Sequence, residues 1–120
     1  MIFSPMEIRL VKAPIPLSEV VRLAQRQFGE LIKAAVDIER KVLAIGGELH
    51  ADEEALLIED GSRQENVWGI NIYPQRPDAE RVEFDSMINV RPSQHNRSRG
   101  VENAEIRARI LRIVADLVRP

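Results

Sequence analysis

The stretch from Leu31 to His50, LIKAAVDIERKVLAIGGELH, restricts the fold more than any other part of the chain. Ile32, Ala34, Val36 and Ile38 fall on one side of a period-two pattern, and Lys33, Ala35, Asp37 and Glu39 fall on the other. Side chains alternate in this way only on an extended strand. The apolar run resumes at Val42, so the segment reads as two strands joined by a turn. With Arg40-Lys41 as a two-residue turn, Ile38 opposes Leu43, Val36 opposes Ile45, and Lys33 opposes Glu48. Each matched pair contributes a few tenths of a kcal/mol. Arg-Lys is poor chemistry for a type I′ turn, which favours Asn-Gly, so a longer or bulged turn is the alternative form. Gly46-Gly47 closes the second strand.

The remaining periodicities build around this hairpin. Met6 to Lys12 alternates, with Ile8 and Leu10 on one face, and Pro14 and Pro16 end it. Leu17, Val20, Val21, Ala24 and Phe28 recur at helical spacing, predicting a helix from about Ser18 to Phe28, with Ser18 as N-cap and Gly29 at C′. Asp52 is the expected cap of a short helix that Gly61 stops, with Glu53 and Glu54 in its first turn. Val67 to Tyr73 reads as a strand. Val82, Phe84, Ile88 and Val90 form the apolar face of another, interrupted by Ser86. Asn103 caps a last helix whose buried stripe is Ile106, Ile110, Ile113, Val114 and Leu117.

The order is β-α-β-β-α-β-β-α, a single α+β domain over residues 1–120 with a mainly antiparallel or mixed sheet. Its first six elements follow the ferredoxin-like split βαβ order, to which a strand and a helix are added. In that arrangement the helices share one sheet face. The other face shows Asp37, Glu39, Asn71, Tyr73, Glu83, Asp85, Met87 and Asn89 to water or to a wet dimer interface.

Composition removes several function classes. The chain has no cysteine, which excludes disulfides, thiolate metal sites and Cys nucleophiles. No uncharged run reaches the ~18 residues of a membrane span, and the start lacks the features of a signal peptide. A cytoplasmic protein with no membrane partner is the expectation. Aromatic residues are only 4%, which leaves few stacking platforms for single-stranded nucleic acid. A pI near 5.7 also argues against a nucleic-acid partner. The net charge of −2 hides an asymmetry: residues 1–90 hold 10 Lys/Arg and 16 Asp/Glu, while residues 91–120 hold 7 Arg and 3 acids. Between Glu48 and Glu65 seven acids meet Arg63 alone. The basic end would pair with an anionic ligand, with the acidic segment of its own chain, or with that segment across a homo-oligomer.

Three places could carry chemistry. The loop RPSQHNRSRG offers Arg91, Arg97 and Arg99 for bidentate anion binding, with Asn96, Ser93 and Ser98 as hydrogen-bonding groups and a helix start nearby. It matches no phosphate-loop motif, and the bland alternative is a connector whose arginines pair with the acidic segment. In GGELHADEE, His50 and Asp52 would serve as catalytic base and support, or with Glu48 as weak metal ligands, but no recognised ligand spacing is present. Asp37, Glu39 and Asp85 are a carboxylate set whose plainer role is a solvated sheet face. No motif calls for a cofactor: the chain has no GxGxxG, nucleophile elbow or kinase signature.

The stretches VDIERKVLAIGGELHADEEALL, WGINIYP, FDSMIN and RPSQHNRSRG resemble an uncharacterised family of small bacterial and archaeal proteins, a domain of unknown function. The resemblance runs over roughly residues 6 to 118 and makes residues 1–5, MIFSP, an N-terminal extension. It brings no activity, ligand or catalytic residue with it. His95 stands where the family would have a small residue such as Gly, which counts against a role for His95. The expected function is an anion-binding module for a phosphate or carboxylate ligand at Arg91, Asn96, Arg97 and Arg99. A structural, partner-binding protein is the second reading, and a hydrolase or phosphotransfer enzyme using His50 is the third.

Overall fold

The computed structural model describes residues 8–120. The strand read at Met6–Lys12 is seen as β1 (Arg9–Val11), and its first two residues, like the extension 1–5, lie outside the described residues. The other elements are β2 (Ile15–Pro16), α1 (Leu17–Gln25), β3 (Ile32–Asp37), β4 (Val42–Ile45), α2 (His50–Glu59), β5 (Val67–Ile72), β6 (Val82–Glu83), α3 (Ala104–Leu117) and β7 (Val118–Arg119). Five strands form a sheet in the order β1-β4-β3-β5-β6, antiparallel throughout. A short parallel pair, β2 with β7, ties the start of α1 to the end of α3.

The hairpin of β3 and β4 forms in the longer version. Val36 opposes Leu43 and Ala34 opposes Ile45, two residues away from the tight-turn register. A shift of two keeps every side chain on its face, so apolar still meets apolar. Asp37 explains the choice. Its Oδ1 accepts from the backbone N–H groups of Glu39 and Arg40, and its carbonyl accepts from Lys41. An Asx turn thereby closes a four-residue loop that Arg-Lys alone would not close. Lys41 takes φ 59° there.

The ferredoxin-like arrangement is corrected by one strand. The order β1-β4-β3 matches that fold, but β5 docks beside β3 and not beside β1. Both helical crossovers, β1 to β3 through α1 and β4 to β5 through α2, therefore step the same way along the sheet from oppositely directed strands. Crossovers of one hand must then lie on opposite faces. The expectation of helices on one face fails for that reason. α1 and α3 cover one face, where Val20, Ala24, Ile110 and Val114 pack on Ile32, Ala34, Val36, Leu43, Ile45, Trp68, Ile70 and Ile72. α2 covers the other, where Leu57 packs on Ala35, Ala44, Val42 and Val67. Asp37 and Asn89, expected on a wet face, are buried.

The strand expected over 82–90 is also much shorter. It stops at Glu83, and Ser86–Asn89 folds into a 3-10 turn in which Ser86 Oγ accepts from the Ile88 N–H. The Asn89 side chain then does what a strand would do. Its Nδ2 donates to the Gly69 carbonyl at 2.9 Å and its Oδ1 accepts from the Gly69 N–H at 2.8 Å. Ile88 consequently packs on the α2 face while Val82 and Phe84 stay on the other. Gly69 is required here, because a Cβ would lie 2.5 Å from the Ser86 side chain.

Candidate functional site

The arginine loop is a folded structure held from inside. Arg91 is buried: its Nε donates to the Ile88 carbonyl at 2.9 Å, and its Nη2 donates to the Val67 carbonyl and pairs with Glu54 at 3.0 Å. Its guanidinium also lies 4.8 Å from the centroid of the Trp68 ring. Asn96, also buried, donates from Nδ2 to the carbonyls of Asn89, Ser98 and Gly100, and its Oδ1 accepts from the Glu102 N–H. Arg99 pairs with Asp85 at 2.7 Å. Arg97 is exposed, and the loop is fixed at that residue by its backbone N–H on Glu102. Of the four residues expected to hold an anion, Asn96 is engaged by the fold, Arg91 is held inside by Nε and Nη2 while its buried Nη1 has no partner among the described residues, Arg99 is paired on the surface, and Arg97 faces solvent. For Arg91 the charge partner is Glu54, inside the chain's own acidic segment. His95 closes the loop's 3-10 turn at φ 61°, a conformation that a glycine adopts without strain.

The α2 end carries the second set. The helix starts at His50, two residues before the expected cap, so Asp52 lies within its first turn and no side chain caps it. His50 is half-buried and its ring points back to the sheet, with Nε2 donating to the Ile70 carbonyl at 2.8 Å. That bond places the proton on Nε2. Burial lowers the His50 pKa and the Lys33 charge adds to this, while the Ile70 carbonyl, Asn71 and Asp85 oppose it. Asp52 and Glu48 are exposed on the outside. Among the described residues no three His, Asp or Glu side chains gather to hold a metal ion, so Glu48, His50 and Asp52 are not brought together as ligands. The carboxylates Asp37, Glu39 and Asp85 are likewise apart: Asp37 closes the hairpin, Glu39 faces Arg109 at 3.5 Å, and Asp85 pairs with Arg99.

Two features escaped the sequence. The first is Glu53, completely buried in α2. Its Oε2 accepts from the Gly47 N–H at 3.0 Å, and its Oε1 has no hydrogen-bond partner among the described residues. Burial holds this carboxyl well above the usual carboxylate range; the Gly47 N–H and Lys33 oppose that, and Asp52 adds to it. The helical spacing His50 to Glu53 places both residues on one face, but nothing in the sequence says that the face is buried.

The second is an open pocket of about 350 Å³ lined by Arg26, Gln27, Phe28, Glu48 and Leu49. It forms because α1 ends at Gln25, earlier than the expected Phe28, and Gly29 at φ 86° bonds back to the Ala24 carbonyl. Phe28 is thereby lifted off the buried stripe and stands 45% exposed, opposite Leu49 at 56%. The Gln27 side chain donates to the Gly46 carbonyl and ties the end of α1 to the turn before α2. Lys33 lies 5.1 Å from the centroid of the Phe28 ring and donates to the Glu48 carbonyl at 2.9 Å. Among the described residues the Arg26 guanidinium has no ion-pair or hydrogen-bond partner, and the side chain is exposed.

These observations define a small α+β domain with a five-stranded antiparallel sheet between helices, and with an open pocket, edged by Arg26, at the sheet end where β4 hands over to α2. The chain belongs to the family described as Protein of unknown function (DUF5674), whose model matches residues 9–117. No curated protein and no solved structure matches it. Among the described residues no helix is long and apolar enough to cross a membrane.

Proposed function

We propose that this protein is a binding module for a small anionic molecule with an apolar part, and that the ligand sits between Arg26, Phe28 and Leu49. The observation that carries the reading is the exposed Arg26 guanidinium on a pocket wall that also holds an exposed aromatic ring. A pocket of about 350 Å³ lies in the roughly 300–1,000 Å³ range of small-molecule sites, which combine apolar walls with a few polar anchors. Lys33 at the Phe28 ring supplies a second positive charge. The loop arginines offer less, because Arg91 and Arg99 already have carboxylate partners.

Calorimetric titration with benzoate, inorganic phosphate and a nucleoside monophosphate tests this. Removing a charged hydrogen bond costs roughly 1.5–3 kcal/mol, so Arg26→Ala is expected to weaken binding by about tenfold or more. The double variant Arg97→Ala/Arg99→Ala is expected to leave it unchanged. Binding lost in the double variant and kept in Arg26→Ala would move the site to the loop. No heat with any of the three at millimolar concentration would sink the anion-binding reading for these classes and favour a partner-binding protein.

A further inference from the structure

The pocket wall contributed by Glu48 and Leu49 is held by the Lys33 side chain on the Glu48 carbonyl and, through the turn before it, by Gln27 on Gly46 and Glu53 on Gly47. The turn Gly46-Gly47 precedes it, with Gly46 at φ 93°. Gly47 lies directly on Glu53: a Cβ there would be 2.8 Å from Glu53 Cγ. The Gly47 N–H donates to Glu53 Oε2 at 3.0 Å. Among the described residues no cation is in hydrogen-bond contact with the carboxyl beneath. The charged groups acting on it are Lys33 from β3, whose Nζ is occupied by the Glu48 carbonyl, and Asp52 on its own helix.

A neutral carboxyl is tolerated in such a place, with one oxygen filled by an N–H. An ionised carboxyl is not, because a buried charge without a partner is strongly unfavourable and is relieved by admitting water. The turn lies against Glu53 with backbone alone, since glycine has no side chain. Resting on the pocket reading above, we propose that Glu53 is a protonation-controlled latch on that pocket. Neutral, it fastens Gly47 and holds the Glu48–Leu49 wall against α1; ionised, it draws water under the turn and loosens the wall.

The test uses the full chain and NMR. In the wild type the Gly47 amide is expected to exchange at least about tenfold faster, relative to its intrinsic rate, once pH rises past the Glu53 transition, which burial holds above the usual carboxylate range. The 13C shift of the Glu53 carboxyl is expected to move with the same midpoint. Glu53→Gln keeps an acceptor for Gly47 and cannot ionise, so its Gly47 amide is expected to stay protected throughout. Benzoate or phosphate affinity is expected to fall across the same transition in the wild type and to stay flat in Glu53→Gln. A flat wild-type Gly47 profile, a midpoint that differs from that of the Glu53 carboxyl, or an unchanged transition in Glu53→Gln overturns the latch. An amide transition without binding of either probe keeps the latch and removes the pocket reading. Binding without an amide transition does the reverse. If Glu53→Gln does not fold, the coincidence of the two wild-type midpoints decides.

Discussion

Replacing Arg91 by Met separates a structural arginine from a ligand arginine. Met fills much of the aliphatic stem and removes the guanidinium. The Glu54 carboxylate, whose side chain is 14% exposed, then loses its partner at 3.0 Å, and the carbonyls of Ile88 and Val67 lose their donor. Stranding one member of a buried pair costs about 3–5 kcal/mol. With an unfolding entropy of about 2.1 cal/mol/K per residue, 120 residues give about 0.25 kcal/mol/K, so Tm is expected to fall by roughly 12–20 °C. Urea unfolding followed by the fluorescence of Trp68, the single Trp and the ring on which Arg91 lies, reads the same loss. The double variant Arg91→Met/Glu54→Met removes both charges and is expected to recover part of the stability, because the orphaned carboxylate is gone. The reasoning fails if Arg91→Met costs less than about 1 kcal/mol while abolishing anion binding, or if the double variant is no more stable than the single.

Three further outcomes follow from particular contacts. Gly69→Ala sets a Cβ against Ser86, itself buried, and is expected to cost about 2–3 kcal/mol and to unfasten Asn89, measured as a drop in urea midpoint. Asn96→Asp turns a donor toward three carbonyls into an acceptor, and is expected to lose more stability at neutral pH than Asn96→Ala, which merely leaves them empty. His50 has a folded pKa below its unfolded value, so the stability it confers is complete above the unfolded pKa, about 6.5, and is lost as pH falls from there through the folded pKa. His50→Gln is expected to flatten that acid-side slope in urea titrations, and an unchanged slope would assign it to other groups.

Much of the architecture was legible because period and punctuation agree. Asn103 accepts from the N–H groups of Glu105 and Ile106, and the stripe Ile110, Ile113, Val114 and Leu117 is buried as its spacing requires. The alternation of Ile32, Ala34 and Val36 gave the right face even with the wrong turn, since a two-residue register shift leaves faces unchanged. What period cannot carry is the side of the sheet on which a later strand docks. Placing β5 beside β3 or beside β1 uses the same apolar residues, and that choice alone moves α2 from one face to the other. Side chains that imitate backbone were equally invisible. Val82 to Val90 has a strand's alternation, yet Ser86 and Asn89 replace main-chain bonds by side-chain bonds and bend it. Phe28 carried a helical signal that Gly29 cancelled one residue later, and the pocket follows from that cancellation.

The position of α2 also explains why Arg91, at the start of the most basic loop, already has a charge partner. Once α2 crosses the second face, Glu54 is delivered beside the start of the arginine loop, and Arg91 is drawn inward between that carboxylate and Trp68. The charge asymmetry of the sequence is in part an intramolecular complementarity, and Arg99 with Asp85 continues it on the surface. The same crossover makes the chain turn from one face to the other at the end of β4. That turn is Gly46-Gly47, and it meets the end of α1 where the chain enters β3, with Gln27 bridging the two. Two connections on opposite faces meet at one end of the sheet and leave a gap that neither fills. Arg26 and Phe28 stand on one side of that gap, Glu48 and Leu49 on the other, and Glu53 lies beneath the second. A ligand there would touch both crossovers at once, so its binding would be felt first in the Gly46-Gly47 turn and only afterwards in the sheet.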